Sequence, residues 1–132
     1  MDTVILAAGR GARLDGIAAP FFKPLLVVNR QPIVKQAVLQ AKHILSDRII
    51  VVVAPENALP ISQVLGDLNV TMIVQRHPRG PGDAVLRALE AVTDSNVMVL
   101  MGDNVSTTAD IAKIADCEES FAVGVNRMPS IE

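Results

Sequence analysis

Four places in this 132-residue chain carry side chains that could do chemistry, three of them suited to phosphate or its metal and one to the edge of a base. Gly9, Arg10, Gly11, Ala12 and Arg13 form a short loop in which bare glycine backbone can approach phosphate oxygens and offer its N–H groups, while arginine neutralises charge with a rigid fork of donors. Lys23 stands directly before Pro24, and a residue before proline is pushed away from helix, so this pair predicts an extended segment that aims the ammonium. A solvated surface lysine is the alternative reading. Gln75 offers both a donor and an acceptor, the pair that the imide edge of uracil or thymine requires. Asp103 follows Gly102 at the end of an apolar run, where a carboxylate suits Mg2+ held between protein and substrate phosphate. An Asx turn or a helix cap is the competing explanation there.

Two other phosphate motifs fail on inspection. A dinucleotide fingerprint needs a third glycine where Leu14 stands, and no acid lies near position 30 to hold a ribose hydroxyl. A Walker loop needs Lys and then Ser or Thr after its second glycine, and the chain has Ala12 and Arg13. His77 has no second ligand at metal spacing, and His43 falls on an expected helix with no chemical role.

Composition narrows the field further. A net charge of -2 is too small and of the wrong sign for wrapping nucleic acid or lying on an anionic membrane, and no Trp or Tyr is present to stack on bases. No apolar run reaches the length of a membrane span or a signal-peptide core. The single Cys117 rules out an intrachain disulfide and fits a reducing cytoplasm.

The elements that must position these residues alternate along the chain. Short or continuous β-rich runs at Val4–Leu6, Ile49–Val53, Val70–Gln75, Val97–Met101 and Phe121–Val125 read as strands. Helical spacing marks Pro32–Leu45, Leu59–Leu65, Pro81–Val92 and a short segment near Ala109–Ala115. This alternation predicts an α/β fold, a doubly wound and mostly parallel sheet in a three-layer αβα, Rossmann-like arrangement. Ligands of such sheets sit at the carboxyl ends of the strands, where the residues singled out above fall. Residues 1–132 are expected to form a single domain. The chain stops soon after the last expected strand with no helix to cover it, which implies that further polypeptide follows.

Taken in order, these blocks resemble the sugar-1-phosphate nucleotidylyltransferases, or NDP-sugar pyrophosphorylases. Leu6 through Leu14 is similar to the family's glycine-rich signature and Lys23–Leu26 to its lysine block. Gln75 through Ala84 resembles its base-recognition segment and Leu100 through Val105 its metal-binding strand end. The resemblance implies a Rossmann-like nucleotidyltransferase core and transfer of NMP from an NTP to a sugar 1-phosphate, with release of pyrophosphate. It implies that Arg13 holds the triphosphate and the departing pyrophosphate, that Lys23 binds phosphate at the reacting centre, and that Asp103 holds Mg2+. Leu6, Ala7, Ala8, Gly9, Arg10, Gly11 and Ala12 would line the substrate, with Ala7, Ala8, Gln75 and Gly80 reaching the base. UTP or dTTP is favoured.

Departures from the family pattern are equally specific. Ala12 stands where members carry Thr or Ser, which removes a hydroxyl donor to phosphate worth about 1.5–3 kcal/mol. Pro81 replaces a Thr of many members and removes a backbone donor. Members also have a second half that supplies most of the sugar pocket and a second metal ligand. A non-catalytic nucleotide-binding or regulatory module is therefore the alternative reading, and a homo-oligomer or partner chain completing the site is a third.

Overall fold

The computed structural model of the protein describes residues 1–9 and 22–125. At its centre are two strands made almost wholly of apolar residues, β1 (Asp2–Leu6) and β4 (Ile49–Val53), with every side chain buried. Continuous β-branched runs of this kind suit a parallel strand covered on both faces, because neither face can be left to water. Strands β5 (Thr71–Val74) and β6 (Val97–Met101) flank them, giving the parallel order β5-β4-β1-β6. Val4 lies opposite Ile50 on one side and Val99 on the other, and Leu6 lies opposite Val52 and Met101.

Side chains alternate across this sheet, and the two faces have different covers. Ile5, Val51 and Val53 pack under α1 (Ile33–His43) and α2 (Ala58–Leu65), through Val34, Val38 and Ile61. Val4, Leu6, Ile50 and Val52 pack under α3 (Pro81–Leu89), through Ala84 and Ala88. The small residues of α3 let it lie close to the strands. Helices on both faces of a parallel sheet make the expected doubly wound α/β architecture.

Chain order and spatial order diverge at one point. From β1 the chain builds outward through β4 and β5, then crosses back to place β6 on the other side of β1. Strand order therefore reverses between β1 and β6, and in sheets of this kind the ligand crevice lies outside the carboxyl ends of the strands at that point.

Three local features differ from the sequence expectation. Lys23 is not extended: Lys23–Leu25 is a 3-10 turn, and the extended residue is Phe22 before it. Pro24 is buried and Leu25 packs on the α1–α2 face, so burying this turn outweighs the preference of a residue before proline. A small hairpin also appears where no strand was expected, with β2 (Val27–Val28) antiparallel to β3 (Gln31–Pro32). Its two linking residues, Asn29 and Arg30, both have positive φ, 52° and 68°, as a tight two-residue connection demands.

The third difference lies beyond α4 (Thr108–Ala115). Phe121–Val125 forms no strand and runs exposed and irregular. A strand needs a ladder partner, and this segment instead passes over α4, with the Cα of Gly124 so near Ile114 that a Cβ would fall 2.7 Å from its Cδ1. Lying against α4 rather than beside a strand, the apolar alternation of Phe121, Val123 and Val125 gains no ladder partner and produces no strand.

Candidate functional site

All four sheet strands point the same way, so four chain exits gather at one edge. The first is Ala7–Gly9, leaving β1. The amide of Ala7 donates to the Val52 carbonyl at 2.8 Å, extending the ladder one residue beyond the strand. The Ala7 carbonyl then accepts from the side chain of Asn57, also at 2.8 Å. A trans peptide sets its C=O and N–H in opposite directions, so holding the Ala7 carbonyl toward β4 turns the Ala8 N–H toward the β6 side of the crevice.

Asn57 was not anticipated. It is fully buried, and its Oδ1 accepts from the Ala54 amide at 2.8 Å while its Nδ2 holds Ala7. One side chain thus ties the exit of β4 to the exit of β1. Its position just before α2 is legible as a helix start, yet it makes no cap bond, and the partner of its Nδ2 is 50 residues away.

The β6 exit closes over β1 from the other side. Gly102 donates its amide to the Leu6 carbonyl at 2.8 Å, and Asp103 follows within a turn in which the Asn104 amide reaches back to the Met101 carbonyl. Asp103 is half-buried and is the second residue beyond the end of β6. Among the described residues no group of three or more His, Cys, Asp and Glu could hold a metal ion. A single carboxylate fits Mg2+ that draws its remaining ligands from substrate phosphates and water.

The β5 exit carries Gln75, whose amide nitrogen continues the ladder to the Val53 carbonyl at 2.8 Å. Its buried side chain is fixed more tightly than expected. Nε2 donates to the Gly80 carbonyl at 3.2 Å and to Asp83 Oδ2 at 2.8 Å. Both neighbours only accept, so the amide must turn its NH2 toward them. The anticipated donor–acceptor pair is thereby reduced: both Gln75 donors are used internally, and Oε1 is what remains for a ligand. Gly80 has φ 90° and ψ 176°, a conformation open in practice to glycine alone, and this bends the loop so that its carbonyl meets Gln75 and α3 begins at Pro81. A shallow hollow lies between Ala8, Ala54–Glu56 and the residues Gln75, Arg76 and Pro78.

The structure thus brings Leu6, Ala7, Ala8, Gly9, Gln75, Gly80 and Asp103 to one edge of the sheet. Lys23 is half-buried in its turn against α1 and α2, and among the described residues its side chain makes no hydrogen bond or ion pair. That turn precedes α1, which starts from the carboxyl edge because it must run back to begin β4. Arg10, Gly11, Ala12 and Arg13 lie outside the described residues. Among the described residues no helix is long and apolar enough to cross a membrane.

Known proteins place this geometry in a family. The bifunctional protein GlmU of Methanococcus vannielii is 32% identical over 132 residues, covering 100% of this chain and 31% of that protein. A glucose-1-phosphate thymidylyltransferase of Neisseria meningitidis is 32% identical over 112 residues, covering 80% of this chain and 38% of that protein. Among solved structures, a Bacillus anthracis protein assigned as a glucose-1-phosphate thymidylyltransferase superposes with a TM-score of 0.78 at 29% identity, covering 88% of this chain and 49% of that one. The chain therefore spans about a third of the length of these curated relatives and about half of that solved structure. The family model of the MobA-like NTP transferase domain matches residues 3–126, nearly the whole length, and on that match the chain belongs to this nucleotidyltransferase family.

Proposed function

We propose that this chain binds an NTP with Mg2+, UTP or dTTP before other bases, and serves as the nucleotide-binding portion of a sugar-1-phosphate nucleotidylyltransferase. The observation that carries the reading is the meeting of the Leu6–Gly9 and Gly102–Asp103 exits at the reversal of strand order, joined by the bond from Gly102 to Leu6. In that crevice the Ala7–Gly9 exit would offer backbone N–H groups to phosphate, and Asp103, next after Gly102, would offer its carboxylate. A dry stack of apolar strands beneath it keeps these groups fixed.

The reaction that follows is an in-line displacement. A sugar 1-phosphate oxygen attacks the α-phosphorus of the NTP, a new P–O bond forms, and the bond to the β-phosphate oxygen breaks with release of pyrophosphate. The nucleophile is already an anion, so no general base is required, and charge neutralisation with positioning supplies the catalysis. Arg13 would stabilise the departing pyrophosphate, and Lys23 would neutralise the α-phosphate and the incoming sugar phosphate. Asp103 would hold Mg2+, which when bound supplies electrostatic neutralisation of the triphosphate. Ala7, Ala8, Gln75 and Gly80 would receive the base. The sugar side of the pocket would come from further polypeptide, in the same chain or in a partner, and the setting is read as cytoplasmic.

Calorimetry with each nucleoside triphosphate, with Mg2+ and with EDTA, tests the reading. UTP or dTTP should bind more tightly than ATP, and more weakly in EDTA than with the metal. Equal or tighter binding of ATP would remove the base assignment, and absence of any NTP binding would remove the site.

A further inference from the structure

We infer that Asp83 is a specificity-positioning residue, setting which bases the hollow accepts by locking the side-chain amide of Gln75. This rests on the proposed nucleotide reading of the site. Asp83 sits in the first turn of α3, partly buried, with its Oδ2 2.8 Å from Gln75 Nε2 and its Oδ1 3.6 Å from Arg87, one helical turn further along. The order is Arg87, Asp83, Gln75, ligand. Arg87 lies at ion-pair distance from the Asp83 carboxylate, and Asp83 faces Gln75 with acceptors only, so the NH2 end of the Gln75 amide is the one turned toward it.

The consequence falls on the base. With the NH2 of Gln75 held by Asp83 and by the Gly80 carbonyl, the hollow is read by Oε1, an acceptor. A base is welcome only if it brings an N–H there. Uracil and thymine do so with N3–H, and among purines guanine does so with N1–H. Cytosine and adenine bring ring nitrogens with lone pairs at the same positions, which would face Oε1 with no hydrogen between them. An unlocked glutamine would turn over and accept either class. The lock therefore converts an ambivalent amide into a selective one.

Two matched pairs of nucleotides test this on the 132-residue chain, because UTP and CTP, like GTP and ATP, are of similar size and differ in the polarity of that ring nitrogen. Calorimetry should show UTP at least about tenfold tighter than CTP, and GTP tighter than ATP. In Asp83→Asn, which keeps the shape but has an N–H to offer, Gln75 can turn over, and the UTP-to-CTP ratio should fall toward one. Asp83→Ala should lower the ratio as well, which covers the case in which one variant folds poorly. In nuclear magnetic resonance spectra of the free protein, the Gln75 side-chain amide should be slow to exchange, and both variants should abolish that protection.

Uniform weakening of every nucleotide with unchanged ratios would show a merely structural Asp83 and overturn the inference. An unprotected Gln75 amide in the parent chain would overturn it without touching the nucleotide reading. A protected amide in a chain that binds no NTP would overturn the nucleotide reading, and the inference with it.

Discussion

A Cβ placed on Gly102 would lie 2.8 Å from the carbonyl oxygen of Leu6, the same atom that receives the Gly102 amide at 2.8 Å. Glycine is required there by contact, not by its backbone angles. The bond that draws the end of β6 onto the end of β1 leaves no room for a side chain, since Ala7 Cβ and Ile5 Cγ2 stand at 3.1 and 3.3 Å from the same point. Asp103 owes its place beside the crevice to this closeness.

Gly102→Ala and Gly9→Ala should therefore separate two uses of glycine. The first must push backbone apart and should destabilise the fold by about 1–3 kcal/mol while weakening NTP binding. The second meets nothing within 4 Å, so its stability should be nearly unchanged. If the Ala7–Gly9 exit lies against phosphate, Gly9→Ala should still lose affinity. Denaturant titration and calorimetry of both variants check this, and equal behaviour of the two would contradict the arrangement.

Asn57→Ala should cost about 1–3 kcal/mol of stability, because it strands the Ala54 amide and the Ala7 carbonyl in a fully buried setting. It should also loosen the peptide that aims the Ala8 N–H, so NTP affinity should drop even at temperatures where the variant is fully folded. Retained affinity in a folded Asn57→Ala protein would reduce this residue to a structural tie.

The opposite edge of the sheet carries a pH dependence. The Met1 amine pairs with Asp47 at 2.5 Å and with Asp94 at 2.9 Å. Hydrogen bonding to Asp47 first, and then to Asp94, raises its pKa from 8.0 to about 10. A group whose pKa is higher in the folded state stabilises that state fully below its unfolded value and loses the contribution as pH rises through the folded one. Thermal stability should thus decline between pH 8 and pH 10, and Asp47→Asn should flatten that decline. An identical slope in the variant would show that the amine does not contribute.

Sheet and helices were legible in the sequence because burial on both faces writes itself as continuous apolar runs. β6 matches its expected bounds, Val97–Met101, and Ile49–Val53 matches β4. Gly102 and Asp103 were legible for the same reason, since a strand end followed by glycine and a carboxylate is a local pattern. Asn57 and Asp83 were not. Their roles depend on Ala7 and Gln75, brought near by strand pairing and by the bend at Gly80, and side-chain type alone reads them as ordinary helix-start residues. The backbone at Lys23 was misread as extended because the local preference of a residue before proline lost to burial of the turn. Phe121–Val125 shows the converse error, in which apolar alternation suggested a strand but the segment pairs with none of the described strands.

The sharpest prediction concerns the sign of one charge. If Asp103 holds Mg2+ against the triphosphate, its carboxylate attracts NTP through the metal and repels it when the metal is removed, since two anions then face each other across the crevice. Asp103→Asn removes both effects. With Mg2+ present the variant should bind UTP more weakly than the parent chain, by about tenfold or more, and in EDTA it should bind UTP as tightly or more tightly. Its stability should differ little, because substitution of a half-buried strand-end residue that serves a ligand leaves the core intact. A residue acting only as an Asx turn would shift both measurements in the same direction and lower the melting temperature. Calorimetry in the two buffers, with thermal unfolding of both proteins alongside, distinguishes these cases, and parallel loss of affinity with and without Mg2+ would assign Asp103 to the fold.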